Sequence, residues 1–146
     1  MRRSSRKGLF VTLAMTLFLA GCAATPEGPR RGDHLVELAA ADHDRPVDVK
    51  VGDTVVVRLD ANRTTGYSWL LPEGYQAEKV LVPLHPTSRY DTNINGFYAM
   101  GVGGVEIWEF QAVNAGNVAL TLQYRRSFES GIKPLKTLTF PVRVIR

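Results

Sequence analysis

Apolar and polar positions alternate along most of the chain beyond residue 33. Val55, Val57 and Leu59 alternate with Thr54, Val56 and Arg58. Val118, Leu120, Leu122 and Tyr124 alternate with Ala119, Thr121, Gln123 and Arg125. Leu138, Phe140, Val142 and Val144 alternate with Thr137, Thr139, Pro141 and Arg143. Successive side chains of a strand point to opposite faces, so period two marks a strand with one buried face. The helical period is almost absent. The pattern predicts strands over 34–40, 47–51, 54–60, 67–71, 76–83, 105–113, 117–125 and 136–145. Pro141 has no N–H to give a ladder, which places the last strand at an edge or bulges it there.

Many short strands with turn signals between them suggest an all-β fold, an immunoglobulin-like antiparallel β-sandwich. A closed barrel is the alternative. The connections are unequal. Pro72-Glu73-Gly74-Tyr75 and Asn114-Ala115-Gly116 read as tight turns, whereas 61–66, 84–104 and 126–135 are longer or richer. Consecutive antiparallel strands put alternate connections at opposite ends. The three rich connections fall on every second link and so belong at one end, as binding loops do. Trp69, Trp108 and Phe110 read as core. Glu106 has the parity of Trp108 and Phe110, opposite to that of Glu109.

The chain has 146 residues, 45% hydrophobic and 22% charged, a globular balance that excludes wholesale disorder. Its single Cys excludes a disulfide framework or a Cys-rich metal site. The formal charge of +4 with a pI near 9.5 invites nucleic-acid binding. The position of the charges removes that support. Arg2, Arg3, Arg6 and Lys7 precede an apolar run, Gly8 to Ala20. The run is shorter than the ~20 residues a membrane span needs, and the pattern is that of a secretory signal. The segment ends Leu19-Ala20-Gly21-Cys22. This resembles the bacterial lipobox, which implies cleavage after residue 21 and lipidation of Cys22. By the same resemblance, Ala23 favours the outer over the inner membrane, and a lipid-anchored envelope protein facing the periplasm is expected, although the sequence does not itself fix the membrane face. Loss of residues 1–21 takes four of the 18 basic residues and none of the 14 acidic ones, leaving 14 of each and no net charge. Residues 22–33 read as a flexible tether rich in Pro and Gly, and 34–146 as the folded domain.

The three rich connections carry recognisable residues. The first reads Asn62-Arg63-Thr64-Thr65-Gly66-Tyr67. The second ends Gly101-Val102-Gly103-Gly104, and the third begins Arg126-Ser127-Phe128. In order and at these spacings they resemble the chagasin family of cysteine-peptidase inhibitors, over about residues 34–146. The family pattern is an Asn-Pro-Thr-Thr-Gly-aromatic loop, a Gly-x-Gly-Gly loop and an Arg-Pro-Trp loop. The resemblance implies an immunoglobulin-like sandwich whose loops wedge reversibly into the active cleft of papain-like peptidases. It implies that the first loop meets the catalytic Cys–His pair and the other two clasp the cleft. The implied peptidase-binding residues are Asn62, Arg63, Thr64, Thr65, Gly66, Tyr67, Gly101, Val102, Gly103, Gly104, Arg126, Ser127 and Phe128. Arg63 stands where the family has Pro, and Ser127-Phe128 where it has Pro-Trp. Losing both prolines removes fixed φ values, so both loops are expected to be less preorganised. Gly66 allows a conformation that residues with a Cβ resist, and the second loop's glycines let backbone approach a partner closely. The Gly-rich stretch alone reads equally as a bulge or turn before the next strand.

Other readings carry less. Asn62-Arg63-Thr64 is also a glycosylation sequon, which has no use in a bacterial lipoprotein. Asp42-His43-Asp44 resembles metal ligands only faintly and reads as a solvated turn. His85 has no Ser or Cys partner. No nucleophile elbow, zinc-protease motif or phosphate loop is present, so no enzyme, cofactor or metal is expected. The expected partners are a papain-like cysteine peptidase and, through the lipid, a membrane; no nucleic acid is expected, and the protein is expected to be a monomer. The rival reading is a structural or adhesive envelope lipoprotein that binds a non-peptidase partner through the same loops.

Overall fold

The computed structural model describes residues 34–75, 79–92, 103–129 and 131–146. The signal segment, Cys22, the tether, Gly101 and Val102 lie outside the described residues. Among the described residues nine strands run in the order β1 (Leu35–Ala39), β2 (Val47–Lys50), β3 (Thr54–Ala61), β4 (Tyr67–Leu70), β5 (Leu81–Pro83), β6 (Arg89–Asp91), β7 (Gly104–Ala112), β8 (Gly116–Arg126) and β9 (Lys136–Ile145). They form two sheets. One has the order β1-β3-β7-β5, with β6 also on β7; the other has β2-β9-β8-β4. The fold is a sandwich rather than a closed barrel.

The alternating segments form the core as their period requires. Val55, Val57 and Leu59 of β3 and Trp108 and Phe110 of β7 face Leu120 and Leu122 of β8 and Phe140 and Val142 of β9. Trp69 joins them from β4 and is almost fully buried.

Chain direction alternates from strand to strand except between β5 and β6, which both run antiparallel to β7 along one edge, and the sheets are mixed rather than purely antiparallel. β1 pairs with β3 in parallel, and β2 pairs with β9 in parallel. In each case two strands that run the same way, one element or more apart in sequence, have become neighbours. The loop-end argument survives because it depends on direction, not on pairing.

Three further expectations change. The last strand is not an edge: β9 lies between β2 and β8. Thr139 bonds the turn before β2 through both backbone groups, and Ile145 accepts from Val51 N–H. Alternate residues point the same way, so the nitrogen of Pro141 faces that side too, where the β2 ladder begins only at Val47–Val142. No ladder bond is lost. The strand expected over 76–83 is confined, among the described residues, to Leu81–Pro83. The 84–104 connection is not structureless, since Arg89–Asp91 continues along the edge of β7 that β5 also occupies.

The turn over 42–44 fastens one sheet to the other. Asp42 Oδ2 accepts from Ala39 N–H at 2.8 Å. His43 Nδ1 accepts from Thr139 N–H at 3.0 Å, and Asp44 N–H donates to the Thr139 carbonyl at 3.0 Å. On the outer β2–β9 ladder Arg143 forks onto Asp48, which holds the Asp48 carboxyl below the usual carboxylate range.

Candidate functional site

The register brings the loop ends together. Ala61 pairs with Gly104, so the end of β3 lies beside the start of β7. Tyr67 pairs with Arg126, so the start of β4 lies beside the end of β8. The first loop leaves Ala61 and returns at Tyr67. It therefore sits between the base of the second loop and the start of the third.

The first loop is a single 3-10 turn, Arg63–Thr65. Asn62 caps it: its Oδ1 accepts from Thr64 N–H at 3.2 Å and from Thr64 Oγ1 at 2.6 Å. Thr65 Oγ1 donates to the Asn62 carbonyl at 2.6 Å. Both hydroxyls are thus engaged within the loop. Gly66 closes the turn with φ +80°, the left-handed region where a Cβ is costly. The Asn62 N–H donates to Tyr124 Oη at 3.0 Å.

Loss of the family's proline does not leave this loop loose. Arg63 Nε–H donates to Glu106 Oε1 at 2.6 Å. Its Nη2 donates to Ser88 Oγ at 2.8 Å and to the Ser88 carbonyl at 3.2 Å. The guanidinium lies 4.9 Å from the centre of the Tyr90 ring. Where the family fixes a φ with proline, this chain has a side-chain tie.

The third loop is held in a similar way. Arg126 Nε–H donates to the Thr65 carbonyl at 3.1 Å, and Nη1 pairs with Glu129 at 2.9 Å. The Glu129 hydrogen bond holds the Arg126 guanidinium even more firmly protonated than usual. Its Cζ lies 4.6 Å from the Tyr67 ring centre and 6.0 Å from that of Phe128. Below it Tyr67 stacks on Tyr124 at 5.4 Å, and Tyr124 packs on Trp69 at 5.1 Å. Arg126 therefore braces the loops as well as lining them. Phe128 is 72% exposed and stands out at the tip; Ser127 beside it is exposed too.

Of the second loop, Gly103 lies against the first: a Cβ there would come within 3.0 Å of the Ala61 carbonyl oxygen and 3.9 Å of Asn62 Cβ. Gly104 is buried and needed for a different reason. A Cβ there would meet the Asp91 carbonyl oxygen at 2.5 Å and the Tyr90 ring at 2.8 Å. Its smallness makes room for the close passage of β6.

Glu106 is the residue that sequence reasoning missed. It is fully buried. Its Oε2 accepts from Trp69 N–H at 2.6 Å while Oε1 takes Arg63. The signal was available in its parity, because a carboxylate on a core face must be paired. Trp69 is held from the same side: its carbonyl accepts from Trp108 Nε1 at 3.0 Å, and its own Nε1 donates to the Asp60 carbonyl at 3.0 Å. Edge strand β4 is thus closed by side chains of the opposite sheet.

A two-sheet sandwich whose first and third loops are braced at one end, against the base of the second, fits a loop-presenting binding protein. Residues 48–144 match the chagasin family of peptidase inhibitors, I42, and the chain belongs to that family. Among solved structures, the cysteine protease inhibitor EhICP2 of Entamoeba histolytica is 19% identical, with a TM-score of 0.61 over 76% of this chain and 95% of that one. Amebosin is 26% identical, with a TM-score of 0.57 over 78% and 100% of the two chains. Leishmania mexicana ICP is 29% identical, with a TM-score of 0.52 over 70% and 90%. No curated protein matches the chain.

Proposed function

We propose that the protein is a reversible, non-covalent inhibitor that seats its loop tip in the active cleft of papain-like cysteine peptidases. The residues that carry the contact are Asn62–Tyr67, Gly101–Gly104 and Arg126–Phe128. One observation bears most weight: a compact 3-10 turn, with the Asn62, Arg63 and Thr65 carbonyls engaged inside the protein, stands beside an exposed aromatic at the same tip. The carbonyls of Asn62, Arg63 and Thr65 accept from Thr65 N–H, Gly66 N–H and Arg126 Nε–H respectively. A peptidase needs an extended segment whose scissile carbonyl is free to turn into the oxyanion site. A 3-10 turn is not such an extended segment, and three of its carbonyls are already held. Phe128 and Arg126 are of the types that dominate binding hot spots.

The same proposal includes the anchor: export by residues 1–21, lipidation at Cys22 and residence in the outer membrane facing the periplasm. Its support is the sequence pattern and the direction of β1, which starts beside Thr54 at the end of the sandwich away from the loops. The purified domain is expected to inhibit papain or a cathepsin-L-type enzyme at submicromolar concentration. A folded domain that leaves a panel of such peptidases fully active refutes the reading.

A further inference from the structure

We propose that Glu106 is a positioning residue of the tip: through Arg63 its buried carboxylate fixes the first loop and ties it to the base of the second. The inference rests on the reading of the tip as the inhibitory surface.

The first argument is location. Glu106 grips the chain at Arg63 and again at Trp69. These two points bracket Gly66, so one carboxylate holds both sides of the reversal. The second is chemistry. A well-packed apolar residue on that core face is often as stabilising as a buried ion pair, or more so. The charge is therefore poorly explained by stability alone, and well explained by the need for one acceptor that serves two donors. The third is connection. The guanidinium that Glu106 holds also reaches Ser88 and lies over Tyr90, the ring against which Gly104 packs. Arg126 does the corresponding work between the first and third loops. Two arginines thus tie the first loop to the third and to the Ser88–Tyr90 stretch before the second, and a preformed surface loses less conformational freedom on binding. Glu106 is fully buried, so any effect it has on inhibition acts through position rather than contact.

The test compares Glu106→Gln, Arg63→Ala and the double variant. Gln can still accept from Trp69 N–H but offers an amide donor where Arg63 needs an acceptor. Each single variant is expected to raise the inhibition constant against papain by ~tenfold. The double variant is expected to lose no more than the weaker single, the mark of two residues acting as one device. In the free protein, amide exchange at Thr64, Thr65 and Gly66 is expected to speed up while Leu120 and Leu122 on β8 stay protected. Wild-type inhibition and exchange in Glu106→Gln overturn the proposal. So does a loss of protection spread evenly over the domain, which marks a purely structural role. Should Glu106→Gln not fold, Arg63→Ala carries the exchange comparison, since its side chain is 38% exposed. If the wild-type protein inhibits nothing, the functional reading falls, while the exchange data still decide whether the clamp orders the loop.

Discussion

Phe128 and Gly66 lie side by side at the tip and separate binding from folding. Phe128 is 72% exposed, so removing its ring takes little from the core. Phe128→Ala is expected to weaken inhibition by about 2 kcal/mol while the thermal midpoint stays where it is. Gly66 has φ +80°, and a Cβ on it would meet the Phe128 ring only at ordinary contact, 3.4 Å. Gly66→Ala is expected to cost about 1 kcal/mol of stability from the left-handed backbone, and to weaken inhibition by disturbing the turn that this φ closes. Inhibition constants and urea midpoints on the same preparations check both. The sequence makes Gly66 and Phe128 visible because their chemistry is local: a turn glycine and an exposed aromatic. It shows less of Glu106 and Arg63. The parity of Glu106 places it on the core face, but its partner is 43 residues away, and only the β3–β7 register brings the two together. Arg63 looked like the loss of a proline because a single position in sequence shows the φ it no longer fixes, not the bonds its side chain makes.

At the scale of elements, the long alternating strands were legible, and so were the shorter β1, β2 and β4; β6 was not, and β5 only within a longer expected span. β3, β7, β8 and β9 each have enough residues to express a period, and each lies close to its expected place. β5 and β6 have three residues each, too few for any periodicity. They exist as strands because the edge of β7 gives their backbone groups partners. The parallel pairings escaped for the same reason, since neighbours across a sheet are chosen by packing of whole layers rather than by the pattern within one strand. β6 matters to the site because it passes tightly over Gly104. Gly104→Ala would place a methyl 2.5 Å from a backbone oxygen, which no side-chain rotation relieves. The expected cost is about 2 kcal/mol, in the range for overpacked cores, read as a lower urea midpoint. Faster amide exchange at Tyr90 and Asp91 is expected to localise the damage to β6. Unchanged stability would mean that the β6 passage is looser than this geometry requires.

For the whole molecule, direction and charge decide how an anchored inhibitor could work. β1 and β3 run in parallel toward the loops, with Leu35 level with Thr54 and Ala61 at the tip. A tether that joins before residue 34 therefore enters at the end away from the peptidase. β9 ends there too, since Val144 pairs with Gly116 at the start of β8. The surplus of positive charge lies wholly in residues 1–21, and residues 22–146 carry 14 basic and 14 acidic residues. A neutral body gives no general attraction to an anionic membrane, so under the proposed anchor membrane residence depends on the lipid. Cys22→Ser is expected to move the protein from the membrane to the soluble fraction and to leave the inhibition constant unchanged. Both are measured on the same two preparations, one extracted in detergent and one free. Membrane fractionation that survives Cys22→Ser would refute the anchor. Inhibition that disappears when the protein is released would refute the orientation, because it would mean that the membrane-proximal end takes part in binding.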